Sequence, residues 1–146
     1  MEIILLNTKK KDIKKKKSKW TKGEITDDTA QFLCVLESIT DNMAIDRQNI
    51  FRNLKKLDYK YRKNSTSTGK SLSTGDIDFV SYFGLGNGGF SKCLPLVLWH
   101  ASRRGKKDIN YEDIIKSTMK IVTITHGNVS TVLSCIFFKY FRFFVI

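Results

Sequence analysis

The sequence has little proline, no paired cysteines and no long apolar run. One Pro and nine Gly among 146 residues argue against a low-complexity linker or a collagen-like chain. The three cysteines are far apart without a CxxC pair, which argues against a disulfide scaffold or a structural zinc site and favours reduced thiols. The apolar C-terminal segment, residues 132–146, is interrupted by Lys139 and Arg142, so it lacks the about 18 continuous residues that span a bilayer.

The sequence also predicts no signal peptide, because the early apolar patch, residues 3–6, precedes the basic residues instead of following them. The expected location is therefore cytoplasmic. Residues 9–19 hold eight Lys and one Asp, and they carry +7 of the formal net charge of +12. Such a run stays solvated, so we interpret residues 1–19 as a basic disordered leader and residues 20–146 as a helical domain.

The lysine run from Lys9 to Lys19 has two further interpretations. It could bind nucleic acid or an anionic surface by releasing counterions, or it could direct nuclear import. It contains no Phe, Tyr or Trp to stack on bases, as most single-strand binders require.

The apolar pattern predicts an all-α fold, since no run of alternating strands occurs. Ile50, Leu54, Leu57 and Tyr61, for example, share one face of a helix. Helices are predicted over residues 29–39, 45–61, 91–104, 111–124 and 129–141, and the Ser/Thr/Gly-rich residues 64–76 are predicted to form a loop. Asn110 is the predicted cap of the fourth helix.

Two glycine motifs match nucleotide-binding loops only in part. Gly69-Lys70-Ser71 resembles the end of a P-loop, but the required first glycine and the preceding strand are missing. The motif at residues 84–89, GLGNGG, satisfies GxGxxG and precedes a helix. The sequence after it cannot supply the second buried strand of a βαβ unit, which argues against a dinucleotide site.

Three short segments carry the possible chemistry. The segment Thr26-Asp27-Asp28-Thr29 at a helix start suits helix capping and equally suits Mg²⁺, which prefers hard oxygen ligands. The run at residues 86–89, Gly-Asn-Gly-Gly, is an ordinary turn or a phosphate cradle of backbone N–H groups. His126 follows a helix, where a histidine is more often a helix-terminal cation than a ligand or catalyst.

The order of these segments resembles the ADP-ribosylglycohydrolase family, over about residues 20–138. That family includes the ADP-ribosyl-acceptor hydrolases and the enzyme that reactivates dinitrogenase reductase. Its Gly-Asn-Gly-x-x-x-Arg-x-x-Pro motif corresponds to residues 86–95 here, with Lys92 in place of Arg. The resemblance implies an ADP-ribosylglycohydrolase-like helical bundle that hydrolyses the bond at the anomeric carbon of ADP-ribose.

The resemblance also implies roles for individual residues. Thr26, Asp27 and Asp28 match metal ligands of a paired Mg²⁺ site, with cations about 3.5–4 Å apart, and the two aspartates would also position ribose and the attacking water. The substrate-binding residues would be Tyr82, Phe83, Gly84, Leu85, Gly86, Asn87 and Gly88, with His126 near the nucleotide.

Two segments of the family have no counterpart in this sequence. They are the opening Gly-Asp-Ala-type helix and the closing Gly-Gly-Asp-Thr-Asp-Thr segment, which supply the other metal ligands. We therefore expect an incomplete bundle, truncated relative to the family, with weak Mg²⁺ binding and weak or no activity. The aromatic C-terminal helix is expected to lack a packing partner, so a partner chain could cover exposed core. The alternatives are a non-catalytic ADP-ribose binder and a basic protein of nucleic acid or membrane surfaces.

Overall fold

The computed structural model describes Gly23 and residues 25–61, 67–79, 84–103 and 110–145, which form an all-α fold. The described residues contain six helices and no strand: α1 (Asp27–Asn42), α2 (Arg47–Tyr61), α3 (Ser67–Ser73), α4 (Gly88–Ser102), α5 (Tyr111–Val122) and α6 (Val129–Val145). The predicted fold class is thereby confirmed. The lysine run and the rest of the predicted leader lie outside the described residues.

Helix α4 lies at the centre of the bundle and packs against α1, α5 and α6. One apolar cluster joins it to the first half of the chain, and its fully buried members include Val35, Ile50 and Leu96. A second, smaller cluster fills the space between α4, α5 and α6 around Cys93 and Cys135. All three cysteines are buried as free thiols.

The start of α4 differs from the prediction because the glycines of its first turn let the helix approach α6 closely. The helix begins at Gly88, three residues before the predicted start, so that its first turn includes the glycines. A methyl group added at Gly89 would lie 3.0 Å from both Cys135 Sγ and Thr131 Cγ2. The absence of a side chain therefore lets the first turn of α4 rest directly on α6.

The prediction of a loop over residues 64–76 is wrong, because α3 lies within it. Ser and Thr are weak helix formers, but propensity is a small effect that tertiary contacts override. Leu72 is 2% exposed and belongs to the main apolar cluster. Ser71 Oγ donates a hydrogen bond to Thr125 O at 3.4 Å. The buried face of α3 thus stabilises a helix that composition alone disfavours.

One arginine holds the segment that leads to the glycine loop. Arg47 Nη1 forms an ion pair with Asp78 Oδ1 at 2.6 Å, and Arg47 Nη2 donates to Ile77 O at 2.8 Å. Its Nε donates to Lys120 O at 3.1 Å, near the end of α5. The start of α2 therefore ties the residues after α3 to α5.

Helix α6 packs on α4 and α5, while the side chains of residues 140–145, in the aromatic segment expected to lack a partner, lie outside the described part of the chain. Phe138 packs edge-to-face on Phe90 of α4, with ring centroids 5.4 Å apart. Phe137, on another face of the helix, is 70% exposed. No described helix is both long enough and apolar enough to cross a bilayer.

Candidate functional site

The start of α1 presents two acidic side chains beside a capping threonine. Thr26 precedes the helix in extended conformation, and its Oγ1 accepts from Thr29 N at 3.5 Å. This distance is long for an N–H···O bond, so the cap is a weak one. Asp27 and Asp28 occupy the first turn, where carboxylates are favoured by the helix dipole, and both are half-buried.

The glycine loop, residues 84–87, runs directly into α4. Gly84 is buried, and its carbonyl accepts from Thr131 Oγ1 of α6 at 3.0 Å. Leu85, Gly86 and Asn87 are exposed. Asn87 caps α4 without a side-chain hydrogen bond, so its side chain binds none of the N–H groups of the first turn. Tyr82 and Phe83, predicted substrate-binding residues, lie outside the described residues.

Lys92 lies fully buried beneath this first turn. Its Nζ donates to Gly88 O at 2.7 Å and to Gln31 Oε1 of α1 at 2.8 Å, and it lies 3.4 Å from His126 Nδ1. Burial lowers the pKa of Lys92 to about 8, against the opposing effect of neighbouring groups that include Asp28 and Asp27. Lys92 thus links α1, α4 and the segment before α6.

His126 is not the helix-terminal cation that its position suggested. The side chain is 2% exposed, and burial, aided by the charge of Lys92, lowers its pKa to about 3. The ring is therefore neutral at physiological pH. Its Nδ1 lies 2.8 Å from Thr125 Oγ1, and methyl groups added at Gly84 or Gly88 would lie 3.3 Å or less from the ring. His126 therefore lies against the inner side of the glycine loop and the first turn of α4.

The acidic segment and the glycine loop are brought together through Gln31. This residue follows Asp27 by one helical turn, and its side chain contacts Lys92. A methyl group added at Gly88 would lie 3.2 Å from Gln31 Nε2. The start of α1 is thus packed on the start of α4. Sequence reasoning missed Gln31, although its spacing from Asp27 places it on the same side of α1.

An open groove lies beside Asp28. Its volume is about 560 Å³, and it is lined by Asp28, Thr29, Phe32, Phe90, Ser91, Leu94 and Phe138. Four of these side chains are apolar, and the carboxylate of Asp28 is the one charged group among them. The groove can accommodate a group of moderate size next to the acidic segment.

The start of α1 offers three oxygen-bearing side chains, which can be compared with what a metal ion requires. No group of three or more His, Cys, Asp or Glu side chains among them is arranged to hold a metal ion. Two carboxylates and one hydroxyl at the start of α1 fit an Mg²⁺ ion that keeps several of its waters, because such ions are often held by one or two carboxylates. They do not fit two closely held cations.

The partial glycine motif at residues 69–71 has a structural role. Gly69, Lys70 and Ser71 lie inside α3, not in a loop, and Ser71 is buried against Thr125. Among the described residues no strand flanks either glycine motif. The P-loop interpretation of residues 69–71 therefore lacks the strand–loop–helix context that it requires, whereas residues 80–83, directly before the second motif, lie outside the described residues.

Comparison with known proteins identifies one family. A sequence model described as ADP-ribosylglycohydrolase matches residues 4–141 of the 146-residue chain. The matched region begins inside the predicted leader and includes all of the segments discussed above. No curated protein and no solved structure was found to match the chain.

Proposed function

Because the chain belongs to the ADP-ribosylglycohydrolase family, we propose that it binds an ADP-ribosyl group at the glycine loop and hydrolyses its glycosidic bond weakly. The observation that carries this proposal is the packing of the start of α1 on the start of α4. Asp27 and Asp28 lie one turn before Gln31, which contacts both Lys92 and the first turn of α4. Acidic side chains and a glycine cradle therefore share one side of the molecule.

The cradle suits an anionic sugar nucleotide. The exposed backbone at Gly86 and the first-turn N–H groups of α4, at the positive end of a 15-residue helix, favour phosphate oxygens. The ligands available for Mg²⁺ are Thr26, Asp27 and Asp28. When bound, the ion would polarise water and neutralise developing charge.

The two carboxylates have a second proposed role, which is to orient the ribose hydroxyls and the attacking water next to the anomeric carbon. Three oxygen donors leave half of an octahedral shell to water. The proposed affinity for Mg²⁺ is therefore low, and the proposed turnover is slow. A family member with a complete ligand set would be faster.

Removing both charges at the start of α1 tests this proposal. The double variant Asp27→Asn/Asp28→Asn should lose Mg²⁺-dependent release of ADP-ribose by ~100-fold or more, because metal stabilisation is worth several kcal/mol. The matched control is Glu37→Gln/Asp41→Asn, which removes two exposed charges from the other end of α1. Turnover that is equal in both double variants would contradict the proposal.

A non-catalytic ADP-ribose binder is the second candidate, and it rests on the same glycine loop. Calorimetry distinguishes it from the first. Heat on titration with ADP-ribose, without release of ADP-ribose from any ADP-ribosylated substrate, would favour the binder. Folded protein that gives no heat would exclude both.

The third candidate, a nucleic-acid or membrane-surface protein, depends on residues 9–19, which are not among the described residues. Its test is deletion of those residues. Binding should then be lost, and the intact chain should bind with an affinity that falls steeply with salt.

A further inference from the structure

The side chain of Lys92 has as many acceptors around it as it has protons to donate. An ammonium group has three N–H donors and no acceptor. Gln31 Oε1, Gly88 O and His126 Nδ1 lie 2.8, 2.7 and 3.4 Å from Nζ. Because Lys92 can only donate, a hydrogen bond from Nζ to His126 requires an unprotonated Nδ1.

This contact favours one tautomer of His126. The ring is neutral, so it carries one proton, and an unprotonated Nδ1 leaves that proton on Nε2. The hydroxyl of Thr125, 2.8 Å from Nδ1, then donates to the same nitrogen. Nε2 is on the loop side of the ring, because a methyl group added at Gly86 would lie 3.6 Å from it and one at Gly88 would lie 3.3 Å from it.

The orientation of the Gln31 amide is determined in the same way. Its oxygen accepts from Lys92 and also from Thr68 Oγ1 at 3.5 Å, so its nitrogen points the other way. That nitrogen lies against Gly88 and, in the part of the chain that the structure describes, has no hydrogen-bond partner. Gln31 is only 3% exposed. A buried donor without an acceptor is costly, which is a reason to expect that an acceptor arrives with a ligand.

We propose that Gln31 and Lys92 are positioning residues, which hold His126 as its Nε2–H tautomer. His126 and the Gln31 amide then serve as two neutral donors at the base of the glycine loop, for an oxygen atom of the bound ADP-ribosyl group. This inference rests on the proposed function for the identity of the ligand. The tautomer itself is a property of the protein without ligand.

Neutral donors suit a site whose rim already carries two carboxylates. A neutral N–H donates to an incoming oxygen without adding a charge to the site. Lys92 is fully buried beneath the first turn of α4, so its positive charge favours phosphate without its side chain lying in the cradle itself.

The first test is ligand-free and uses nuclear magnetic resonance of the His126 ring nitrogens. We expect the Nε2–H tautomer in the wild type at neutral pH, and a shift towards the Nδ1–H tautomer in Lys92→Met, because Thr125 can then accept from Nδ1. Lys139→Met, which removes another buried lysine, is the matched control and should leave the His126 signals unchanged. An Nδ1–H tautomer in the wild type, or no change in Lys92→Met, would overturn the positioning role.

The second test separates the two functions of Gln31 by calorimetry with ADP-ribose. Gln31→Glu keeps an oxygen for Lys92 but removes the N–H donor, so it should retain the His126 tautomer and bind ADP-ribose ~10-fold more weakly or worse. Gln31→Met removes both groups and should change the tautomer as well. Wild-type affinity in Gln31→Glu would overturn the donor role.

The failure of this inference and the failure of the proposed function give different results. If wild-type protein shows the expected tautomer but gives no heat with ADP-ribose, the positioning of His126 stands and the proposed ligand is wrong, together with the donor role. If ADP-ribose binds but the tautomer is Nδ1–H, the proposed function stands and the inference is wrong.

Discussion

Among the residues that the structure describes, two lysines are fully buried, and their surroundings differ. Lys92 belongs to the glycine-loop cluster, made of Gln31, Gly88, Lys92 and His126, where three acceptors surround its ammonium group. Lys139 belongs to the α4–α5–α6 cluster, which comprises His100, Ile114, Ser117 and Lys139. It donates to Ser117 Oγ at 3.0 Å and to Ile114 O at 3.4 Å, and no carboxylate among the described residues forms an ion pair with it.

The difference indicates which of the two lysines has surroundings that stabilise its charged form better. Burial lowers the pKa of Lys139 to about 7, further than that of Lys92, which reaches about 8 with two aspartates nearby. Each cluster also contains a histidine whose pKa burial lowers, to about 4 for His100 and about 3 for His126. Lys92 joins the two candidate segments of the site, whereas Lys139 joins only neighbouring helices. We therefore expect a site role for the first and a stability cost for the second.

Replacing each lysine by methionine sharpens this comparison and gives the largest expected effects. Lys92→Met leaves the Gln31 oxygen with only the long 3.5 Å contact from Thr68 Oγ1 and its nitrogen still without a partner, so the free energy of unfolding should fall by ~2 kcal/mol and ADP-ribose affinity should fall ~10-fold or more. Lys139→Met leaves Ser117 Oγ bonded to Ile114 O at 2.9 Å. Its stability at pH 7 should be unchanged or higher by ~1–2 kcal/mol, with unchanged affinity. Chemical denaturation and calorimetry measure both quantities, and similar losses in the two variants would contradict the distinction.

The pH dependence of stability provides a second comparison. Lys139 has a folded-state pKa of about 7, below its ordinary value of 10.5, so between these values the unfolded chain binds more protons than the folded one. The free energy of unfolding should therefore rise with pH above 7, by ~2 kcal/mol between pH 6.5 and 8.5 from this group alone. Lys139→Met should lose that increment.

Lys92 should contribute a smaller rise that begins only near pH 8. Denaturant titrations at several pH values, for the wild type and both methionine variants, separate the two contributions. A rise that is equally steep in Lys139→Met and in the wild type would show that Lys139 titrates normally in the folded protein.

The helix caps near the two clusters provide the smallest expected difference. Asn110 Oδ1 accepts from Glu112 N at 2.9 Å, which is a well-formed cap at the start of α5. Asn110→Ala should lower the free energy of unfolding by ~1 kcal/mol. Thr26→Ala should cost ~0.5 kcal/mol or less, because its cap hydrogen bond is 3.5 Å long, yet it should weaken Mg²⁺ dependence. Thermal denaturation checks both losses of stability. A loss for Thr26→Ala that exceeds the loss for Asn110→Ala would favour a capping role alone for Thr26.

The sequence predicted the helices where periodic apolar residues carry the signal, and it failed where tertiary contacts decide. The bounds of α2 and α5 differ from prediction by about two residues, and Asn110 caps α5 as predicted. Helix α3 was missed because its stability comes from packing of Leu72 and Ser71, not from propensity. The early start of α4 depends on the contact of Gly89 with α6, which no local pattern reveals.

The candidate site was predictable to the extent that it depends on short motifs. Thr26, Asp27 and Asp28 at a helix start, and glycines before a helix, are visible as patterns. The burial of Lys92 and Lys139 is not visible, because lysine is almost always exposed and a sequence gives no sign of the acceptors that surround it. The neutral state of His126 likewise depends on burial by residues distant in sequence.

The most direct test of the shared site is to follow backbone amide resonances while ADP-ribose is added, with and without Mg²⁺. We predict that signals from the glycine loop, Gly84 and Gly86, shift together with those of Asp27 and Asp28 at the start of α1, and that Mg²⁺ enlarges the shifts at the two aspartates. Shifts confined to other surfaces, or none in folded protein at millimolar ADP-ribose, would contradict the account.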